Sequence, residues 1–203
     1  KGETALSLAK TAEIQKLVVE YGELIWQAAR DNDKETIARL LPKANAEDLN
    51  YEKGKYFKRT ALLLAANKGH IEIVQMLVQS SKVDINQKDK HLGWTALRWA
   101  SRSGHLPIVE HLVQQGADMT VQGKDGWTTL MVAAYNGRLP IVEYLVQQGA
   151  DIDMQNNDGS TALLLACREG NDGVVRVLLA AGADKSVQNK KGETVLSLAK
   201  TAE

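Results

Sequence analysis

Apolar residues fall in paired short runs that are separated by glycine and spaced as on one face of a helix. In one such pair, Leu130 and Ala133 belong to the first run, which begins after a threonine that can cap a helix. Gly137 ends this run because glycine tolerates a positive φ. Ile141 and Leu145 follow at helical spacing in the second run. The pattern therefore predicts two short helices joined by a turn.

The same unit recurs along the chain. Gly93, Gly126, Gly159 and Gly192 stand 33 residues apart and open the phrases GWTALRWA, GWTTLMVA, GSTALLLA and GETVLSLA. A fixed period of this length indicates one supersecondary unit that is copied and stacked into a solenoid. The polar stretches between copies lack helical periodicity and favour extended loops or hairpins.

These phrases resemble the ankyrin repeat, which has this period and a T-P-L-H-x-A signature. GHIEIVQMLV, GHLPIVEHLVQQGAD and GNDGVVRVLLAAGAD carry the same resemblance. It implies an all-α, ankyrin-repeat α-solenoid with short β-hairpin loops between the helix pairs. The chain departs from the signature because the histidine is replaced by Leu63, Arg98, Met131, Leu164 and Ser197.

The resemblance also predicts the boundaries of the units. They are a C-cap-like repeat at 1–22, an N-cap-like repeat at 23–56, full repeats at 57–89, 90–122, 123–155 and 156–188, and the first half of a C-terminal repeat at 189–203. The phrase KGETALSLAKTAE at the start returns as KGETVLSLAKTAE at the end, so the caps occur in permuted order. Three origins stay open: a fragment of two tandem arrays, an engineered permutation, or a natural duplication. In each case we expect self-association through the terminal half-repeats, because solenoid ends need a polar cap.

Composition adds limits on the surroundings and partners of the chain. The 25 acidic residues balance the 25 basic ones, which argues against binding to nucleic acid. No stretch predicts a membrane span or a signal peptide, so we expect no membrane partner. The single cysteine, Cys167, excludes an internal disulfide and favours a reducing compartment. We therefore expect a cytoplasmic location, with the nucleus as an alternative.

Residues with catalytic or ligand chemistry are few. His70 and His105 follow the interhelical glycines, where ankyrin repeats commonly carry a structural histidine. Cys167 occupies a slot that holds small residues in the other copies, which favours core packing over nucleophilic use. No phosphate-binding glycine phrase or metal-ligand spacing is present in the sequence. We expect no enzyme activity, no cofactor and no metal.

The resemblance implies that a partner protein or peptide meets the loop tips and the groove face of the first helices. The matching residues here include several aromatic and arginine side chains, which binding hot spots favour. We predict partner contact for Trp94, Arg102, Trp127, Tyr135, Asn136, Arg168, Lys124 and His91. For the two loop tryptophans, packing within the hairpin is the alternative. Trp99 aligns with apolar residues in the other copies and is predicted to be core.

The predicted function is a non-catalytic protein recognition scaffold. Two alternatives belong to other classes: a self-assembling, domain-swapped or permuted array, and the targeting domain of a larger effector enzyme whose catalytic part lies elsewhere.

Overall fold

The computed structural model describes residues 20–52 and 59–199 of the chain. Its helices in chain order are α1 (20–31), α2 (Lys34–Leu40), α3 (Ala46–Leu49), α4 (Ala61–Lys68), α5 (Ile71–Val78), α6 (Ala96–Ser103), α7 (Leu106–Gln114), α8 (Thr129–Tyr135), α9 (Leu139–Gln147), α10 (Ala162–Arg168), α11 (Asp172–Ala180) and α12 (Val195–Ala199). A 3-10 turn at Leu41–Lys43 follows α2. The predicted all-α solenoid of helix pairs is confirmed.

The first helix of each full repeat, namely α4, α6, α8 and α10, begins after a threonine, as the sequence predicts. The side chains of these N-cap residues accept a hydrogen bond from the backbone N–H three residues later; they are Thr60, Thr95, Thr128 and Thr161. At the other end, Gly69 and Gly104 adopt φ of 85° and 86° and end α4 and α6. This left-handed conformation favours glycine, which explains its recurrence in the interhelical turn.

The helices stack in two layers around one continuous interior. The first helices α4, α6, α8, α10 and α12 pack in sequence on one side, and α2, α5, α7, α9 and α11 pack in sequence on the other. Leu97, Ile108 and Leu163 are almost completely buried between the layers. Trp99 is 1% exposed, which confirms that it belongs to the core.

The loops between pairs are tight turns, and their tips bond to one another. Within a turn, Asp89 N donates to Trp94 O at 2.9 Å and Asn156 N donates to Ser160 O at 3.0 Å. Neighbouring tips are joined by Lys124 N donating to Leu92 O at 3.0 Å. The loops predicted as short β-hairpins are therefore hydrogen-bonded turns. The described residues contain no strand beyond a single bridge position at residue 59.

Side chains that follow the interhelical glycines join successive repeats. His105 Nε2 lies 3.2 Å from the carbonyl oxygen of Asn67, and Arg138 Nε donates to Arg102 O at 3.1 Å. Asn171 continues this row with Nδ2 2.9 Å from Ala134 O. The structural role expected for His105 is thus visible, and the same position performs it with three different side chains.

At the N-terminal end, α1 runs without interruption across Gly22, where we predict the boundary between two cap-like units. No helix end marks that boundary, and most of the predicted unit 1–22 lies outside the described residues. Trp26 Nε1 donates to Arg59 O at 2.8 Å, which ties α1 to the following repeat. None of the helices in the described ranges is long and apolar enough to cross a membrane.

Candidate functional site

A surface groove lies where two loop tips meet the C-terminal ends of α6, α8 and α10. It encloses about 360 Å³. Its walls are Leu92, Trp94, Arg102, Asp125, Trp127, Val132, Tyr135, Asn136 and Arg168. We call this surface the aromatic groove. The fold thus brings together six of the eight predicted contact residues, which are spread over more than seventy positions of the sequence.

Two aromatic side chains form one wall of the aromatic groove. The rings of Trp127 and Tyr135 meet edge to face, with centroids 5.2 Å apart and planes at 75°. Such a contact stabilises both rings by about 0.5–1.5 kcal/mol beyond the burial of their surface. Tyr135 remains 37% exposed, and the Arg168 guanidinium lies 5.9 Å from its centroid. This wall is preformed yet accessible.

Trp94 is much more buried than a loop-tip residue. It is only 9% exposed, and its ring packs against Trp99 with centroids 4.8 Å apart. The guanidinium of Arg98 lies 4.5 Å from its centroid. Internal packing, the alternative to partner contact, therefore accounts for most of this side chain, although the residue lines the groove. The sequence could not show this, because polar residues occupy the same slot in other copies.

Two of the predicted residues lie outside the groove walls, and Asn136, which lines the groove, also has a structural role. His91 and Lys124 are exposed on the loop tips but do not line the groove. Lys124 Nζ donates to Lys90 O at 2.5 Å, so it also links neighbouring tips. Asn136 Nδ2 donates to Val132 O at 2.8 Å and helps to end α8. Partner contact by all eight residues stays a prediction.

A buried arginine beneath the groove was not foreseen from the sequence. Arg98 is 0% exposed, and its Nη2 lies 3.4 Å from Asp125 Oδ1. Burial lowers the pKa of Arg98 to about 10, and the nearby Asp125 carboxylate partly opposes this shift. The side chain therefore stays charged at neutral pH. Among the described residues, its Nε and Nη1 find no hydrogen-bond acceptor.

Glycine at position 123 makes room for this arginine. In three other turns the corresponding residue is Asp89, Asn156 or Asn189, whose side chain accepts hydrogen bonds from loop N–H groups. A Cβ on Gly123 would collide with Arg98 Nη1. The sequence does carry a signal for this pair. Arg98 stands where other copies have leucine or methionine, and Gly123, in the following repeat, stands where other copies have aspartate or asparagine.

A second depression offers less chemistry. It encloses about 460 Å³ near the ends of α2 and α5 and is lined by Leu41, Pro42, Met76 and Lys82 among others. It has no aromatic side chain, and Lys82 Nζ already donates to Ala44 O at 2.6 Å. Although it is larger, it presents few groups that could specify a partner, so we assign no role to it.

Nothing in the described residues forms a metal cluster. Within the ranges 20–52 and 59–199, no group of three or more histidine, cysteine or acidic side chains is arranged so that it could hold a metal ion. Cys167 is half-buried, and desolvation together with Asp172 raises the pKa of its thiol. It is therefore mostly the neutral thiol at pH 7, which is the less nucleophilic form.

Comparison with known families agrees with this architecture. A family model described as ankyrin repeats (3 copies) matches residues 25–123 and 116–189, which together make up most of the chain. No curated protein matches the chain.

Proposed function

Because the chain belongs to the ankyrin-repeat family, whose members generally serve as protein–protein interaction modules, we propose that it is a non-catalytic recognition module that binds a protein or peptide. The contact surface in this proposal is the aromatic groove. The supporting observation is the convergence of Trp127, Tyr135, Arg102 and Arg168 from consecutive repeats on one concave surface. Aromatic and arginine side chains dominate the binding energy of protein interfaces.

Rigidity supports the same function. The groove residues project from helices whose neighbours are fully packed, and the loop tips are bonded to each other. A partner would therefore bind without ordering the scaffold first, which saves conformational entropy.

We place this binding in a reducing compartment such as the cytoplasm, since the one cysteine is a free thiol.

The test is affinity capture from a cell extract, quantified by mass spectrometry. The double variant Trp127→Ala with Tyr135→Ala should lose about 2 kcal/mol or more of binding free energy for a true partner. The matched control is Tyr144→Ala, a half-buried aromatic on α9 in the other layer. The proposal is wrong if every captured protein is retained equally by the wild type and the double variant while both stay helical.

Self-association is a second candidate, favoured by exposed leucines at the C-terminal end of the described stack. Leu196 on α12 is 74% exposed and Leu179 on α11 is 40% exposed. Apolar patches of this kind mark contact surfaces. We propose that a second copy covers them, with its residues 1–22 as the contacting segment. Sedimentation velocity should then show an apparent mass that rises with protein concentration for the wild type and stays close to the monomer mass for Leu196→Asp. A single monomeric wild-type species at all concentrations would exclude this self-association.

A further inference from the structure

We propose that the aromatic groove binds a linear peptide in which an acidic residue lies close to a large apolar residue. In this arrangement Arg102 holds the carboxylate, and Trp127 and Tyr135 hold the apolar side chain. The inference rests on the proposed recognition function and specifies the chemistry of the partner.

Arg102 is an exposed cation that aromatic rings hold in position. Its guanidinium carbon lies 5.7 Å from the centroid of Trp94 and 5.6 Å from that of Trp99. In the part of the chain that the structure describes, it forms no ion pair with a carboxylate. A guanidinium in contact with a ring can still donate two parallel hydrogen bonds in its own plane. Arg102 is therefore oriented but still able to bind a carboxylate.

The other charged residues that line the groove are already paired. Asp125 pairs with the buried Arg98, and Arg168 Nε lies 3.5 Å from Glu169 Oε1. Arg102 is left as the charge without a counterpart among the described groove residues. Complementarity of charge across an interface then favours a partner that supplies an anion at this point.

The apolar anchor lies one repeat away from the anion anchor. Arg102 lies in the last turn of α6 and Tyr135 is the last residue of α8, and these first helices pack side by side. Packed helices have axes about 8–10 Å apart, and an extended chain advances about 3.3 Å per residue. The acidic and apolar residues of the partner should therefore be separated by roughly two to four positions.

The first experiment is selection of a phage-displayed library of random dodecapeptides on the wild-type protein. Enriched peptides should carry Asp or Glu at roughly two to four positions from Phe, Leu or Trp. Enrichment of peptides without acidic residues would overturn the partner chemistry but leave groove recognition standing. Selection that is no better than on the Trp127→Ala, Tyr135→Ala variant would contradict the recognition function itself.

The second experiment assigns the anion anchor by fluorescence anisotropy with an enriched peptide. Arg102→Gln should weaken binding about tenfold or more, since charge-assisted pairs are the strong ones. Arg176→Gln, an exposed arginine on α11, is the matched control and should change affinity by less than about twofold. Replacing the acidic residue of the peptide by Gln should weaken binding to the wild type but have little further effect on Arg102→Gln.

Two results would overturn the assignment. The first is an equal loss for the Gln peptide in both proteins, because the carboxylate would then bind elsewhere. The second is tighter binding of a phosphoserine peptide than of the matching Glu peptide, because the preferred anion would then be a phosphate.

Discussion

Exchanging Gly123 for Asn, alone and together with Arg98→Met, tests whether these two positions are coupled across repeats. Asn is the residue at the equivalent positions 156 and 189 of two later turns, and Met is the residue at position 131, which is equivalent to position 98. In the single variant Gly123→Asn, the new side chain would occupy the space of the Arg98 guanidinium. We expect it to lower the free energy of unfolding by about 2 kcal/mol, as overpacked sites do.

The magnitude of the Arg98 change follows from its pKa. Burial lowers this pKa to about 10, and each unit of lowering corresponds to about 1.4 kcal/mol, so burial of this charge costs on the order of 3 kcal/mol. The cost is present at all pH values below about 10 and is relieved only as the pH rises above that value, where the unfolded state binds more protons than the folded state. Against it stands the contact of Arg98 with Trp94, worth about 2 kcal/mol when desolvated. Arg98→Met alone should therefore raise the free energy of unfolding by about 1 kcal/mol.

In the double variant the Asn side chain can accept from two loop N–H groups, as Asn156 does from residues 158 and 160. Each such bond contributes about 1 kcal/mol. The double variant should equal or exceed the wild type, with a coupling energy of about 2–3 kcal/mol. Urea unfolding followed by circular dichroism measures the four unfolding free energies of this double-mutant cycle, provided that the slope of free energy against urea concentration is the same for all four proteins. Effects that add within about 0.5 kcal/mol would refute the coupling.

Two further predictions concern burial and thiol chemistry. Leu130→Asp places an unpaired charge at a site that is 2% exposed, and it should lower the free energy of unfolding by about 3–5 kcal/mol in thermal or urea unfolding. Leu196 holds the equivalent position on α12 but is 74% exposed, so Leu196→Asp should cost less than about 0.5 kcal/mol. Similar losses for the two variants would contradict the packing. Alkylation of Cys167 by iodoacetamide should rise with pH through an inflection above the value of about 8.5 for a free cysteine, because its pKa is raised; an inflection below that value would show an activated thiolate instead.

The repeat architecture could be predicted because each unit carries its own local signals. A threonine cap, a run at helical spacing and a closing glycine act within a dozen residues, so Thr128, Leu130 and Gly137 already specify one helix and its end. Recurrence at a fixed period then specifies the stack. The alignment of copies also identified Trp99 as core, since its slot is apolar in the other repeats.

The candidate site could be predicted only in part. The sequence placed Arg102, Trp127, Tyr135 and Arg168 on successive repeats, and the structure brings them into one groove. It did not show that Trp94 is largely buried, because that depends on Trp99 and Arg98, which differ from their counterparts in the other copies.

The sequence by itself determined the helices, their caps and the order of stacking, because these depend on spacing within a repeat. Only the tertiary structure decided that Arg98 is buried, that Gly123 makes space for it and that Arg102 remains an unmatched cation. These properties arise between repeats, where a side chain from one unit meets the loop of the next. No local pattern encodes such a meeting, since it depends on how closely two separate backbones approach.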